Sequence, residues 1–168
     1  VCVTVWSLRG PARSVAGPLA AVAWVRVVVV VRARRGRRAG GWVEPPCSVQ
    51  WVWPGALTIE ARRQALQDFC LELAAAWARF DEWGHALEVG HAFTATELKQ
   101  CWNRFNVARP EVEPMPWLAA LVCSSAFDLA LHDAVGVLHG RSSFETYGPG
   151  FLSRDLSPFR GPAAGAQG

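Results

Sequence analysis

Between Met115 and Gly140 the chain reads MPWLAALVCSSAFDLALHDAVGVLHG, its longest periodic segment. Pro116 suits a first helical turn, where its missing N–H costs nothing, and Gly140 suits a C-terminal cap. The segment predicts one buried helix. Leu118, Leu121, Val122, Ser125 and Leu129, with Ala126, Ala130 and Val137, line a broad apolar stripe on it. Its many small residues let neighbours come close. A helix this apolar must be covered, so the remaining elements are expected to pack against it.

The first half supplies strands. Val1–Leu8 has strand character. Arg9–Pro18, rich in Gly, Pro, Arg and Ser, reads as a loop. Ala21–Ala33 holds a valine run that predicts a strand buried on both faces, or one whose sheet is covered by helices on one side. A turn at Gly36 leads to a returning strand, Arg38–Glu44. Pro45–Gly55 carries prolines at both ends and reads as irregular.

Helices follow. Thr58 is placed to cap a helix running to about Phe80, with Leu66, Phe69, Cys70, Leu73, Trp77 and Phe80 on one face. Asp81–Phe93 reads as a loop with Gly84 and Gly90. Thr94–Glu97 matches a capping box ahead of a short helix bearing Leu98, Cys101, Trp102 and Phe105. Asn106–Pro116 is a connector. The order β-β-β-α-α-α predicts an α+β fold, an antiparallel three-stranded β-meander followed by a three-helix bundle. It occupies residues 1–147, with 148–168 as a tail whose end, Gly161–Gly168, has the low complexity of a disordered segment.

Composition narrows the setting. One core suffices for 168 residues, and the net charge of +3 does not by itself call for nucleic acid. The five cysteines include no C-x-x-C pair, which disfavours a disulfide framework and favours a reducing compartment. The apolar run Val15–Val31 contains Gly17, Pro18 and Arg26, so it is not expected to span a membrane, and no clean cleavage site follows it. The expected setting is cytoplasmic.

Four groups of residues are chemically suggestive. Arg32, Arg34, Arg35, Arg37 and Arg38 could meet phosphate, but a hairpin tip is where charges are simply solvated. Glu88 and His91, with His85, have metal-ligand chemistry but fall in the expected loop, without a second matching pair. Asp128 and His132 stand four apart on the main helix, beside Asp133. They could form an acid/base pair, yet no nucleophile or second carboxylate is placed to join them, and hydrogen bonds that fix packing are the better reading. Trp51 and Trp53 fall in the proline-bounded segment. Alternation with Val52 places both on one side, either gripping a ligand or partner or folded back into the core.

Ser125-Ala126-Phe127-Asp128-Leu129-Ala130-Leu131-His132-Asp133, followed by Gly136 and Gly140, resembles the S-A-x-D-x-A-L-x-D…G…G helix of the enolase superfamily. The similarity is to the mandelate racemase and muconate lactonizing enzyme branch. Gly41-Trp42-Val43-Glu44 resembles that family's G-x-G-E strand end, with Val43 in place of the second glycine. The resemblance covers roughly Ala21–Tyr147 and matches the family's N-terminal capping domain.

That domain closes over the mouth of a (β/α) barrel, and two of its loops touch substrate. By chain order these would be Arg9–Gly17 and Pro45–Trp53, which makes Gln50, Trp51 and Trp53 the candidate substrate-facing residues. The family's racemases, lyases and cycloisomerases abstract a proton next to a carboxylate and hold the enediolate on magnesium. The acid/base groups and metal ligands belong to the barrel, which takes about 200 residues or more. The resemblance therefore implies no catalytic residue, metal ligand or cofactor in this chain, which stops soon after Gly140. It implies a truncated product, a fragment or one part of a split enzyme. The partners implied are a barrel domain, which a neighbouring gene could encode, and a small carboxylate substrate in the complete enzyme. Nucleic acid and membrane are not expected partners. The alternative is a small non-catalytic interaction module using the Trp51/Trp53 loop.

Overall fold

A valine run buried on one face only sets the architecture. In the computed structural model, which describes residues 2–7, 12–14, 17–19, 23–110, 113–153, 155 and 157–159, strand β4 (Ala23–Arg32) alternates strictly. Val25, Val27 and Val29 point into the core, while Arg26, Val30 and Arg32 point out. Helices therefore cover one face of the sheet and leave the other to solvent. β1 (Cys2–Ser7) pairs antiparallel with β4, from Cys2 opposite Val28 to Ser7 opposite Ala23. β5 (Arg38–Val43) pairs on the other side, from Arg32 opposite Arg38 to Val27 opposite Val43. The chain is a mixed α+β fold around this three-stranded antiparallel sheet.

The segment expected to be a loop at Arg9–Pro18 instead contains a small hairpin. β2 (Ala12–Ser14) pairs with β3 (Gly17–Leu19), with Arg13 opposite Pro18. A two-stranded ribbon of this size leaves edges on both sides, where proline is tolerated, so its Gly and Pro do not forbid pairing. Pro45–Gly55 is also more regular than its prolines imply. β6 (Pro46–Cys47) extends the sheet edge by pairing with Ala23 and Trp24, and α1 (Val49–Val52) makes one helical turn.

α2 (Ile59–Arg79) begins as expected at Thr58, whose hydroxyl accepts from the Ala61 N–H at 3.1 Å. Beyond it, the expected loop and capping box are both corrected. α3 (Ala86–Phe93) is helical, and the chain continues through a π-helical turn, Thr94–Leu98, directly into α4 (Lys99–Val107). Thr94 lies in the right-handed helical region, and Thr96 bonds back to the Ala92 carbonyl at 2.8 Å, so nothing is capped there. The real capping box stands earlier, at His85 and Glu88. Gly90 is no break either; it is buried where α3 meets Asp128.

α5 (Trp117–His139) is the predicted central helix, started by Pro116 and closed by Gly140 at φ +64°. Its buried face differs from the expected stripe. Ala119, Ala120, Cys123, Ala126, Phe127, Ala130 and Ala134 face inward, whereas Leu118, Ser125, Leu129 and Val137 face solvent. The helix is apolar nearly all round, so pattern alone does not choose a face. Packing against β4 and β5 chooses it, because only small side chains fit where helix and sheet backbones nearly touch. The closest approach is at Gly41, where a Cβ would lie 2.1 Å from the Ala134 nitrogen and 2.4 Å from the Ala130 oxygen.

The core joins Val27 and Val29 to Leu66, Phe69, Leu73, Phe93, Leu98 and Phe127. Among the described residues α5 alone is long and apolar enough to cross a membrane, and 56% of its most apolar window is buried in this fold. The chain past Tyr147 folds back in part. Ser153 donates from its N–H (2.9 Å) and hydroxyl (2.5 Å) to Glu88, Phe151 packs on His139, and Phe159 packs on His91. Glu88 explains this: as a helix-cap carboxylate it still has an oxygen to offer. The low-complexity end, 161–168, lies outside the described residues.

Candidate functional site

Register places the two connections of interest at one end of the sheet. The chain leaves β1 at Ser7 and re-enters β4 at Ala23, so the β2–β3 hairpin belongs to that end. β6 pairs with the same residues, Cys47 opposite Ala23, so the segment leading into α1 starts there too.

The helical turn α1 separates Trp51, inside it, from Trp53, which caps its C-terminal end with its N–H on the Val49 carbonyl. Residues two apart in a helix are turned by about 200°, not the zero of a strand, so they cannot share a side. Trp51 is 58% exposed and Gln50 is exposed, whereas Trp53 is 1% exposed. The expectation that both tryptophans lie on one side is thus corrected: Gln50 and Trp51 are available to a ligand, and Trp53 is core. Its ring N–H donates to Glu113 at 3.2 Å, and its carbonyl accepts from the buried Arg62 guanidinium. Glu113 also accepts from the N–H groups of Ala56 (2.8 Å) and Leu57 (3.4 Å), pinning the turn that follows. Glu113 was not legible as a site residue, because nothing local sets it apart from Glu111 in the same proline-bounded connector.

The motif carboxylates of α5 serve packing. Asp133 accepts the Trp42 N–H at 2.9 Å, tying the helix to the end of β5. One residue on, Glu44 pairs with Arg26 on the open sheet face. The arginine tip is less bare than expected. Arg32 and Arg34 lie 5.9 and 6.0 Å from the Trp83 ring, and Arg37 donates to the Leu138 carbonyl at the C-terminal end of α5, where a cation is favoured.

At the far end of the sheet a groove of about 720 Å³ runs from Val29 and Val31 to Trp77, Phe80 and Leu131. Its rim mixes Arg32 and Arg34 with Asp81, Glu82 and Glu88. It lies opposite the α1 end. Near it, His85 caps α3: its Nδ1 accepts the Leu87 N–H at 3.2 Å, so Nε2 carries the proton and donates to Thr146 at 2.9 Å. His132 Nδ1 bonds the Tyr147 hydroxyl at 2.7 Å, and its Nε2 is 3.8 Å from Asp128. Burial is the main cause that holds both imidazoles below their ordinary value. For His85 the neighbouring His132 adds to it and Glu88 opposes; for His132 only Asp128 opposes. Burial likewise raises the Asp128 carboxyl and the Tyr147 phenol. A phenol pushed up is a hydrogen-bonding group rather than a nucleophile.

A depressed histidine binds its proton more readily once unfolded. Stability is therefore complete above about pH 6.5 and falls as the pH drops below it. Thermal melts at pH 7.5 and 5.5 should show the lower midpoint at 5.5. His85→Asn keeps a capping acceptor and removes one titrating group, so it should reduce that difference. Asp128 acts with opposite sign, and only above about pH 3.9.

Among the described residues no three His, Cys, Asp or Glu side chains converge to hold a metal ion. Glu88 and His91, despite helical spacing, are not part of such a set, since Glu88 bonds the His85 N–H and Ser153. No family model, curated protein sequence or solved structure gives a significant match to this chain.

Proposed function

We propose that this chain is a capping domain of the mandelate racemase and muconate lactonizing type. It would sit over a barrel that carries the magnesium-dependent proton abstraction, and its α1 turn would help select a small carboxylate substrate in the cytoplasm. One observation carries the reading. The two connections that the sequence resemblance assigns to substrate leave the same end of the sheet, with Gln50 and Trp51 turned outward there. The residues of the resembling helix support it, since Ala130, Ala134 and Asp133 hold β5, the strand just before Glu44. The wider reaction class, whether racemase, lyase or cycloisomerase, would belong to the barrel.

The test mixes the chain with a separately produced barrel of this branch. Association is read by sedimentation, and magnesium-dependent deuterium exchange next to the carboxylate by NMR. The expected result is a complex that exchanges, with KM altered about tenfold by Trp51→Ala, the scale of one lost apolar contact. The chain alone should give no heat when titrated with magnesium. Failure to associate, or micromolar magnesium binding by the chain alone, overturns the reading. The runner-up, a non-catalytic interaction module, draws on the same exposed Trp51, a large aromatic of the kind enriched at interfaces. It predicts Trp51-dependent binding to a protein other than a barrel.

A further inference from the structure

Three thiols meet where the sheet edge joins two helices. Cys47 belongs to β6, Cys70 to α2 and Cys123 to α5, and all three are buried and unpaired by disulfides. Cys123 interacts electrostatically with both of the others. Its thiol also approaches the Leu66 carbonyl at 3.9 Å. The three line a small cavity with Pro45, Pro46 and Val122. Cys47 keeps 8% of its surface accessible, whereas Cys123 keeps 2%.

The environment makes the outer and inner thiols unlike. The hydrogen bond from Cys123 lowers the Cys47 thiol, outweighing the effect of burial. Cys123 is pushed well up by its bonds to Cys47 and Cys70 and by burial. A thiolate is the more reactive form, so Cys47, the more exposed of the two residues, is also the one favoured to react first. Its nearest thiol partner is placed to resolve the product.

We propose that Cys47 and Cys123 form an oxidisable dithiol that a peroxide closes to a disulfide, tying β6 to α5. The Cys47 thiolate attacks one peroxide oxygen and the O–O bond breaks. With hydrogen peroxide, one proton is taken up, water leaves, and Cys47 becomes a sulfenic acid. As the Cys123 thiol gives its proton to the leaving oxygen, its sulfur attacks the Cys47 sulfur, the S–O bond breaks, and a second water leaves. Two thiols are oxidised by two electrons, and one hydrogen peroxide is reduced to two waters. Because α1 starts two residues after Cys47, the link would anchor the turn that carries Gln50 and Trp51. The link itself does not depend on the capping reading.

Each of the five cysteines falls on its own tryptic peptide: Cys47 on 39–62, Cys70 on 64–79 and Cys123 on 105–141. The native chain is treated with hydrogen peroxide, its remaining thiols are blocked with N-ethylmaleimide after denaturation, and non-reduced peptides are mapped. The expected result is a 39–62/105–141 cross-link that dithiothreitol reverses, with loss of both blocked peptides. Cys123→Ser should leave a Cys47 sulfenic acid that dimedone traps, while Cys70→Ser should keep the cross-link. Circular dichroism confirms that each variant is folded, and the wild-type map decides alone if one is not. The proposal is overturned if Cys47 and Cys123 both stay blockable, if Cys47 links to another cysteine, or if it passes to the sulfinic acid without linking.

Discussion

A Gly41→Ala protein is expected to lose about 4 kcal/mol of stability or more, among the largest effects a single added methyl can have. The new Cβ would stand 2.1 Å from the Ala134 nitrogen, 2.4 Å from the Ala130 oxygen and 2.7 Å from the Ala134 Cα. All three atoms are backbone, so no rotamer change makes room. Either β5 must bow outward or α5 must lift, and lifting α5 would also strain the Asp133 bond to Trp42. Gly40→Ala is the control. Its Cβ would meet only the Val29 oxygen at 4.0 Å, on the open face, so its cost should stay within about 1 kcal/mol. Urea unfolding of both variants measures the difference; equal midpoints would show that helix and strand are not packed this closely.

The second large effect separates two neighbouring tryptophans. Trp53→Ala should cost about 3–5 kcal/mol, because it empties a fully enclosed indole site and strips Glu113 of one of its three donors. Trp51→Ala should change stability by no more than about 0.5 kcal/mol. Trp53→Phe should fall between them, since it keeps most of the apolar volume while Ala56 and Leu57 still satisfy Glu113. The ordering is read from urea midpoints, and a Trp51 variant as unstable as the Trp53 variant would contradict the α1 geometry.

These residues also show what the sequence carries and what it does not. The central helix was readable from Pro116 to Gly140 because its ends are written in local chemistry, and the β4–β5 hairpin was readable because a valine run favours a strand and Gly36 marks the turn. Which face of α5 is buried was not readable. That choice depends on how near the sheet comes, and Leu129 and Ala130 look equally suitable until Gly41 is in place. The α3 helix was hidden by Gly84 and Gly90, although Gly90 is small because Asp128 lies against it. His85 at its start was missed because histidine is not among the usual capping residues, yet Glu88 three positions later is the spacing a capping box requires. At the candidate site, the outward turn of Trp51 and the burial of Trp53 rest on one helical turn too short to leave a periodic signal. Their separation also depends on Glu113, which lies far away in sequence.

The π-helical turn from Thr94 to Leu98 fixes the phase of everything downstream of it. It lets Phe93 and Leu98 both face the core and hands α4 on with Cys101 and Phe105 inward. One residue is worth about 100° of rotation. Phe93 and Leu98 stand five apart where an ordinary helix needs four, so dropping one residue from this turn would restore an ordinary helix and keep the phase. Dropping one from α4 ahead of Phe105 would instead swing that ring away from Phe69, which it meets edge-on at 5.2 Å. The helix from Ala86 to Val107 can thus lose one residue within Thr94–Leu98 without turning its buried face, and not elsewhere. In a lineage of such chains, a one-residue difference in length between Phe93 and Phe105 would fall at this turn, with Cys101 and Phe105 still facing inward.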